Sequence, residues 1–331
     1  MIETYGYARA GFLGNPSDGY FGKTISFAMS NFRARALVYP SGRLEIRLSK
    51  ADLPVFENLD DLYRITRWRG YYGGIRIIQA LIVRLIEYCR QQGLELPDRN
   101  FTLEYESNVP QRLGLGGSSA IITASLRALC EYYGLAIPLP IQANLVLETE
   151  TRELEMPAGL QDRVIQAYQG LVYMDFSRHL MESRGYGEYE RMDPALLPNM
   201  YVAYRTSLSE GTEVFHNNLR ERWRRGDPEV VSAMETWAEY AAEGRDCLLE
   251  RRYGRLDELI NANFDLRARI FQIDKGNLEM VHAARRAGAT STFAGSGGAI
   301  VGTYTDEETF ARLTQELKGI GVAVIKPKIV E

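Results

Sequence analysis

The stretch from Asn108 to Gly134 constrains the fold most strongly, because a glycine-rich turn there separates two segments of different periodicity. The preceding segment FTLEYES (101–107) alternates apolar and polar residues, which is the period of a half-buried strand. After the turn, apolar residues recur at helical spacing as far as Gly134, a residue type that often ends a helix. The pattern predicts a β-strand, a glycine turn at residues 114–119 and an α-helix, in that order.

A glycine turn that opens a helix is suited to binding phosphate. The first N–H groups of a helix have no partner within the helix, and the helix dipole adds positive charge at the same end. Ser118 and Ser119 could cap this helix, and a serine hydroxyl can also bind magnesium. No lysine follows the glycines, and Ser119 stands where a dinucleotide-binding turn has its third glycine, so neither common nucleotide motif is present. A plain turn with a serine cap stays open as the alternative.

The residues Pro110 to Ala120, which read PQRLGLGGSSA, resemble the phosphate loop of the GHMP kinases. This family is named for galactose, homoserine, mevalonate and phosphomevalonate kinases. The resemblance implies an ATP-binding enzyme with magnesium as cofactor and a two-domain α+β fold. In that fold an N-terminal β-α domain binds nucleotide and sugar, and a ferredoxin-like α+β domain follows. We expect the two domains at residues 1–185 and 186–331. The implied ATP-binding residues are Pro110, Gly114, Leu115, Gly116, Gly117, Ser118, Ser119 and Ala120.

Arg9 to Asp18, together with Gly22, resembles the sugar-binding first motif of the family. Asn15 and Pro16 replace the Glu and His of galactokinase-like members. The implied substrate-binding residues are Arg9, Asn15, Ser17, Asp18 and Lys23. Without the resemblance, this segment would be interpreted as a β-turn with a surface aspartate.

Two acidic residues have the spacing that galactokinase-like members use for metal binding and catalysis. Glu150 lies twelve residues before Asp162, which ends a G-x-x-D sequence. The resemblance implies that Ser118 and Glu150 bind magnesium and that Asp162 acts on the acceptor hydroxyl. Glu148 is the second choice for the metal. Arg9 is expected to pair with Asp162 and to act with it in catalysis.

A second glycine-rich loop, Gly295-Ser296-Gly297, resembles the third motif of the family. The resemblance implies that these residues contribute to substrate binding. Taken alone, the loop would be a tight hairpin without a site.

Several stretches spread along the chain resemble the branch of the family that phosphorylates D-glucuronate, among them GFLGNPSDGYFGKT (11–24) and AGLQDRV (158–164). A sugar acid needs a cation for its carboxylate, and Lys23 and Arg112 are candidates. A kinase for galacturonate, galactose or arabinose, a non-catalytic ligand-binding protein of this fold and an unrelated oxidoreductase stay open as alternatives.

Composition indicates a globular protein of 331 residues with a net charge of −4, which gives no reason to expect nucleic acid or a membrane as partner. Three scattered cysteines and a start without an apolar signal segment favour the cytoplasm. A monomer or a homodimer is expected. Local patterns also predict a hairpin of strands 34–39 and 43–48, and a capping box from Thr305 to Glu308.

Overall fold

The computed structural model describes residues 1–47, 74–111, 113–205 and 216–331. Arg112, a candidate cation for the substrate carboxylate, lies outside the described residues, as does the charged segment 52–70. The chain forms two compact units. The first unit contains Met1–Ala8, Phe32–Val109 and Gly116–Ala167, and the second contains Arg9–Asn31, Pro110–Leu115 and Tyr168–Glu331. The domain division at residue 185 stays a prediction.

Strands β1 (Ile2–Leu13) and β2 (Lys23–Pro40) pair with each other and contribute residues to both units. The other elements that begin in the first unit are β3 (Glu45–Arg47), α1 (Gly74–Gln91), β4 (Phe101–Ser107), α2 (Gly117–Tyr133), α3 (Leu139–Glu148), a π-helical turn (Thr149–Glu153) and α4 (Gln161–Tyr168).

The remaining elements belong to the second unit. They are a 3-10 helix (Ser17–Tyr20), β5 (Leu171–Asp175), α5 (Arg178–Arg184), β6 (Glu188–Met192), a 3-10 turn (Pro194–Leu196), β7 (Met200–Arg205), α6 (His216–Arg224), α7 (Pro228–Leu249), α8 (Tyr253–Ile270), α9 (Lys275–Arg286), β8 (Thr292–Phe293), β9 (Ala299–Thr303), α10 (Glu307–Lys318) and β10 (Val322–Ile325).

In the first unit, β4 is the strand predicted before the glycine turn, and its apolar face is buried at Phe101, Leu103 and Tyr105. It pairs antiparallel with the second half of β2, from Ala34 to Pro40. The predicted hairpin is wrong, because β3 pairs in parallel with β4 and is not a neighbour of β2. The chain does reverse direction after Ser41 and Gly42, as a hairpin requires. Local sequence, however, does not encode which strand the next segment pairs with.

Helices α1 and α2 of the first unit each bury an apolar face, and for α2 this confirms the predicted helical spacing. Ile78, Leu81 and Leu85 of α1 are buried, as are Ile122 and Leu126 of α2. Helix α2 ends at Gly134, whose left-handed φ of 69° suits glycine. The core of this unit therefore fixes the position of α2, the helix that follows the glycine turn.

The second unit contains a four-stranded antiparallel sheet in the order β10-β7-β9-β8. Helices α6 to α9 lie between β7 and β8 in the chain, and α10 connects β9 to β10. This is the ferredoxin-like arrangement, so the α+β expectation is confirmed. Its core includes Tyr201, Phe264, Met280, Ile300 and Leu313.

Helix starts in the second unit follow the N-cap rules with one correction. Asp227, which precedes Pro228, caps α7 and accepts a hydrogen bond from the N–H of Glu229. The predicted capping box at Thr305 is displaced by one residue. Asp306 is the N-cap of α10, and its carboxylate accepts from the N–H of Thr309 at 2.8 Å. Asp and Thr are both good caps, so adjacent candidates compete.

None of the helices in the described part of the chain is both long and apolar enough to cross a membrane.

Candidate active site

Helix α2 begins at Gly117 with an N-terminus that no side chain caps in the described residues. The N-cap is Gly116, whose left-handed φ of 76° favours glycine. The expected serine cap is wrong, because Ser118 and Ser119 lie in the first turn. The Ser119 hydroxyl donates back to the carbonyl of Gly116 at 3.2 Å. The backbone N–H groups at this helix end therefore keep their capacity to bind an anion.

Strand β1 and helix α4 hold this helix start within the first unit. A Cβ atom at Gly6 would lie 2.0 Å from the carbonyl oxygen of Ala120, so β1 approaches the first turn of α2 too closely for any side chain. Gln166 donates to the carbonyls of Tyr7 and Gly116, at 3.0 and 2.8 Å. The helix start is therefore fixed on two sides.

Ser118 and Glu150, which were predicted together, lie in direct contact. The Ser118 hydroxyl donates to Oε1 of Glu150 at 2.6 Å. Glu150 lies on the π-helical turn after α3, and only 1% of the residue is exposed. Glu148, the second choice, instead accepts from Arg84 at 2.7 Å and from Arg152 at 3.1 Å. The contacts of Glu148 are those of a structural ion-pair cluster.

The sequence interpretation missed Arg163. Its Nε donates to Oε2 of Glu150 at 2.6 Å, and its Nη2 contacts the same oxygen. Its Nη1 lies 3.1 Å from Oδ2 of Asp162. Arg163 thus connects the two carboxylates of the site. The only signal was its position directly after Asp162, within a stretch that the resemblance already covered.

The two carboxylates differ in accessibility. The side chain of Asp162, at the start of α4, is 15% exposed, whereas that of Glu150 is 1% exposed. Asp162 is therefore the more accessible of the two carboxylates, while Glu150 is enclosed by Ser118 and Arg163. The greater accessibility of Asp162 agrees with the role predicted for it, which is to act on the acceptor hydroxyl.

In the second unit, Arg9 brings the phosphate loop and the third motif together. Its Nη1 donates to the carbonyls of Gly114 and Ala294, the latter at 2.8 Å. A Cβ atom at Gly295 would lie 2.3 Å from the carbonyl oxygen of Gly114 and 2.9 Å from the Arg9 guanidinium. A Cβ atom at Gly114 would lie 2.9 Å from the backbone nitrogen of Ser296. The two loops can approach this closely only because glycine, which has no Cβ atom, occupies both positions.

The first-motif loop joins the same cluster. The Asn15 amide donates to the carbonyl of Gly295 at 3.1 Å, and the N–H of Gly14 donates to Asn263 of α8 at 2.9 Å. The hydroxyl of Ser17 bonds the backbone N–H and carbonyl of Lys23, which closes the loop. Helix α8 was not expected to take part, and its contacts depend on residues more than 240 positions away in the chain.

Charged residues of the loop have different surroundings. Asp18 is buried, with 3% of the residue exposed. Lys23 forms an ion pair with Asp175 at 3.0 Å. Burial lowers the pKa of Lys23, but hydrogen bonds and charge interactions with Asp175 and Tyr173 together outweigh burial, so the net pKa is raised. The charge of Lys23 therefore already has a partner in the protein.

Some predicted pairings fall across the two units. Arg9 belongs to the second unit and Asp162 to the first, so their pairing stays a prediction. The phosphate loop is divided in the same way, with Pro110, Gly114 and Leu115 in the second unit and the residues from Gly116 to Ala120 in the first.

A serine–carboxylate pair beside a helix start without a side-chain cap fits a phosphotransferase that acts on an alcohol group. Comparison with known proteins specifies the class further. The GHMP kinase N-terminal domain family matches residues 80–170. The chain belongs to the GHMP kinase family, whose members use ATP.

Two plant proteins are similar over nearly the whole chain. The chain is 44% identical to probable glucuronokinase 2 of Arabidopsis thaliana over 324 residues, which are 96% of this chain and 88% of the relative. It is 42% identical to glucuronokinase 1 of the same organism, over 95% of this chain and 88% of that protein.

Solved structures confirm the fold. The galactokinase of Lactococcus lactis, crystallised with galactose, superposes with a TM-score of 0.79 at 15% identity, covering 99% of this chain and 93% of that one. The mevalonate kinase of Methanococcus jannaschii superposes with a TM-score of 0.72 at 17% identity, covering 100% of this chain and 98% of that one.

Proposed function

We propose that the protein is an ATP- and magnesium-dependent kinase that converts D-glucuronate to D-glucuronate 1-phosphate. The observation that carries this proposal is the 44% identity to an Arabidopsis protein described as a probable glucuronokinase, over 96% of the chain. The reaction transfers the γ-phosphoryl group of ATP to the anomeric hydroxyl, releasing ADP, and the proton of that hydroxyl must be accepted by a base.

The start of α2 supports phosphate binding. Gly116 leaves the helix end without a side-chain cap, so the backbone N–H groups of Gly117, Ser118 and Ser119 can donate to phosphate oxygens. The helix dipole favours negative charge at this end. The proposed nucleotide-binding residues are Pro110, Gly114, Leu115, Gly116, Gly117, Ser118, Ser119 and Ala120.

Ser118 and Glu150 fit a magnesium ion. Both offer hard oxygen donors, and their oxygens lie 2.6 Å apart. Arg163 occupies Oε2 of Glu150, so Oε1 is the oxygen left for a metal. When bound, magnesium would offset the negative charge of the nucleotide phosphates. Ser118 and Glu150 are the residues that would hold the ion.

Asp162 is the proposed base for the acceptor hydroxyl, which fits its greater exposure at the start of α4. Its neighbour Arg163 holds it at 3.1 Å and limits its rotation. We propose that Arg9 adds a fixed positive charge that compensates the charge developing on the transferred group. Asn15, Ser17, Asp18, Lys23 and residues 295–297 are the proposed substrate-binding residues.

The decisive experiment measures ADP release with glucuronate, galacturonate, galactose, arabinose and glucose, followed by phosphorus NMR of the product. We expect turnover with glucuronate and a phosphate signal at the anomeric position. Turnover of a neutral sugar alone would contradict the proposed substrate. Absence of ADP release with every sugar would contradict the enzymatic function itself.

A further inference from the structure

A kinase for a sugar acid must provide a positive charge for the substrate carboxylate. In the described part of the second unit, the cations near the loops of the first and third motifs include three whose contacts bear on this charge. Lys23 is paired with Asp175, and Arg9 donates to the carbonyls of Gly114 and Ala294. The third cation is Arg267, which the sequence interpretation did not consider.

Arg267 reaches the loop cluster from α8. It lies one helical turn after Asn263, which accepts the N–H of Gly14, so the two side chains share a helix face. Arg267 donates from Nη1 to the carbonyl of Gly295 at 3.1 Å. The Asn15 amide donates to the same carbonyl, also at 3.1 Å. The guanidinium is thus placed where the first and third motifs meet.

The guanidinium is buried in an apolar setting. Arg267 is 4% exposed, and its guanidinium carbon lies 5.1 Å from the ring centre of Phe271 and 5.0 Å from that of Phe293. Aromatic faces at this distance hold a guanidinium in place and strengthen its interaction with an anion by excluding water. The two rings therefore fix the orientation of the group.

The charge of Arg267 is incompletely compensated. Within the described residues, its guanidinium donates to one neutral carbonyl, that of Gly295. Burial lowers the pKa of Arg267 to about 10, and the charge of Asp18 opposes this shift. A buried cation is costly unless an anion accepts its hydrogen bonds. A planar guanidinium with donors still available matches a carboxylate, which it can bind through two parallel hydrogen bonds.

We propose that Arg267 binds the carboxylate of the sugar acid and thereby sets the preference of the enzyme for acids over neutral sugars. This inference rests on the proposed kinase function and adds a specificity residue to it. Asn15, which shares the Gly295 carbonyl with Arg267, positions the loop against the guanidinium.

The test compares D-glucuronate with D-glucuronamide, which has the same shape without the charge. The quantity measured is the ratio of kcat/KM for the two compounds, which does not depend on the fraction of active protein. We expect the wild-type protein to prefer the acid, and Arg267→Gln to lower this preference about 10- to 100-fold. Arg267→Leu should give the same loss and covers the case in which glutamine at this position prevents folding.

Arg285→Gln is the matched control. Arg285 also stacks on an aromatic ring, 5.4 Å from the centre of Phe264, but it pairs with Asp265 at 2.7 Å. The control should keep the preference of the wild-type protein.

An unchanged preference in both Arg267 variants would overturn the inference while leaving the kinase function intact. Loss of the preference in Lys23→Gln instead would assign the carboxylate to Lys23. A wild-type protein without activity on glucuronate would overturn both proposals.

Discussion

At the scale of single residues, the pair of Glu150 and Arg163 governs the stability of the site. Both side chains are almost fully enclosed, with 1% and 6% exposed. Charges buried to this extent are tolerated because they are paired, and removal of one partner leaves the other without compensation. Arg163 therefore has a structural role as well as a position next to Asp162.

We expect Arg163→Met to lower the free energy of unfolding by about 3 to 5 kcal/mol, because Glu150 is left as an unpaired buried charge. The double variant with Glu150→Gln should be more stable than the sum of the single losses predicts, by about 1 to 3 kcal/mol. Urea denaturation followed by circular dichroism measures the free energy of unfolding of the wild type, the two single variants and the double variant. Strictly additive losses would show that the two side chains do not interact.

Magnesium dependence should distinguish Glu150 from Glu148. Glu150→Gln removes the carboxylate that contacts Ser118, so the magnesium concentration for half-maximal rate should rise about tenfold or more. Glu148→Gln is the control, because Glu148 is bound by Arg84 and Arg152. If Glu148→Gln alone raised the magnesium concentration for half-maximal rate, the metal would bind at Glu148 and not at Glu150.

Asp162→Asn keeps the shape of the side chain and removes its basicity. We expect kcat to fall about 10²- to 10⁴-fold, the usual contribution of a general base. ATP affinity, measured by calorimetry, should stay nearly unchanged. A lost melting transition would identify Asp162 as structural, and full activity in a folded variant would place the base elsewhere.

The residues that sequence alone could identify are those with a fixed spacing. Ser118 and Glu150 were predicted as a pair, and they are in contact. Arg163 and Arg267 were not identified, because arginines are common on solvated helix faces and nothing local marks a buried one. Burial of a cation is decided by packing between distant segments, which a single sequence does not show.

At the scale of elements, the contact between β1 and α2 determines where α2, the helix proposed to bind phosphate, begins. Gly6 allows the strand to lie against the first turn of the helix, at Ala120. Any side chain at position 6 must displace one of the two elements, because the obstructing atom belongs to the backbone.

We expect Gly6→Ala to destabilise the protein by about 1 to 3 kcal/mol, a typical cost of overpacking. It should also raise KM for ATP several-fold, since the start of α2 is displaced. Gly42→Ala is the matched control, because a Cβ atom there has no atom within 4 Å. Thermal melts and initial rates measure both effects. Equal stability and equal KM for ATP in the two variants would mean that α2 can move away from β1 without cost.

Helices were predicted better than strand partners. The apolar periodicity and caps that define α1, α2 and α7 are local signals, and these helices are present. The parallel pairing of β3 with β4 joins segments more than 50 residues apart, and no local signal encodes it. Even the error at Asp306 is small, because it concerns which of two adjacent side chains caps the helix.

At the scale of the whole molecule, three free cysteines in both units are buried. Burial raises the pKa of Cys89, Cys130 and Cys247, and that of Cys130 rises to about 12, with a smaller contribution from Cys89. The folded state therefore holds the Cys130 thiol neutral at a pH where the unfolded chain ionises it. This stabilisation is complete below the ordinary pKa of 9.0 and is lost as the pH rises toward 12.

We expect the melting temperature to fall above pH 9 and to fall less steeply in Cys130→Ala. One pH unit above the unfolded pKa, the difference attributable to this thiol is about 1.4 kcal/mol. Melting curves from pH 7 to pH 11 measure it, with the value at pH 7 correcting for lost packing. Parallel pH profiles of the two proteins would contradict a buried, neutral thiol.

The length of β2 has a consequence for synthesis of the chain. Its first half pairs with β5, where Lys23 lies opposite Asp175, and Met29 forms a bridge to Ile329. At about 5 to 20 residues per second, the β5 partner leaves the ribosome roughly 8 to 30 s after this half of the strand, and the last partner arrives later still. During that interval this edge of the strand has no native partner, and an unpaired strand edge is prone to aggregation.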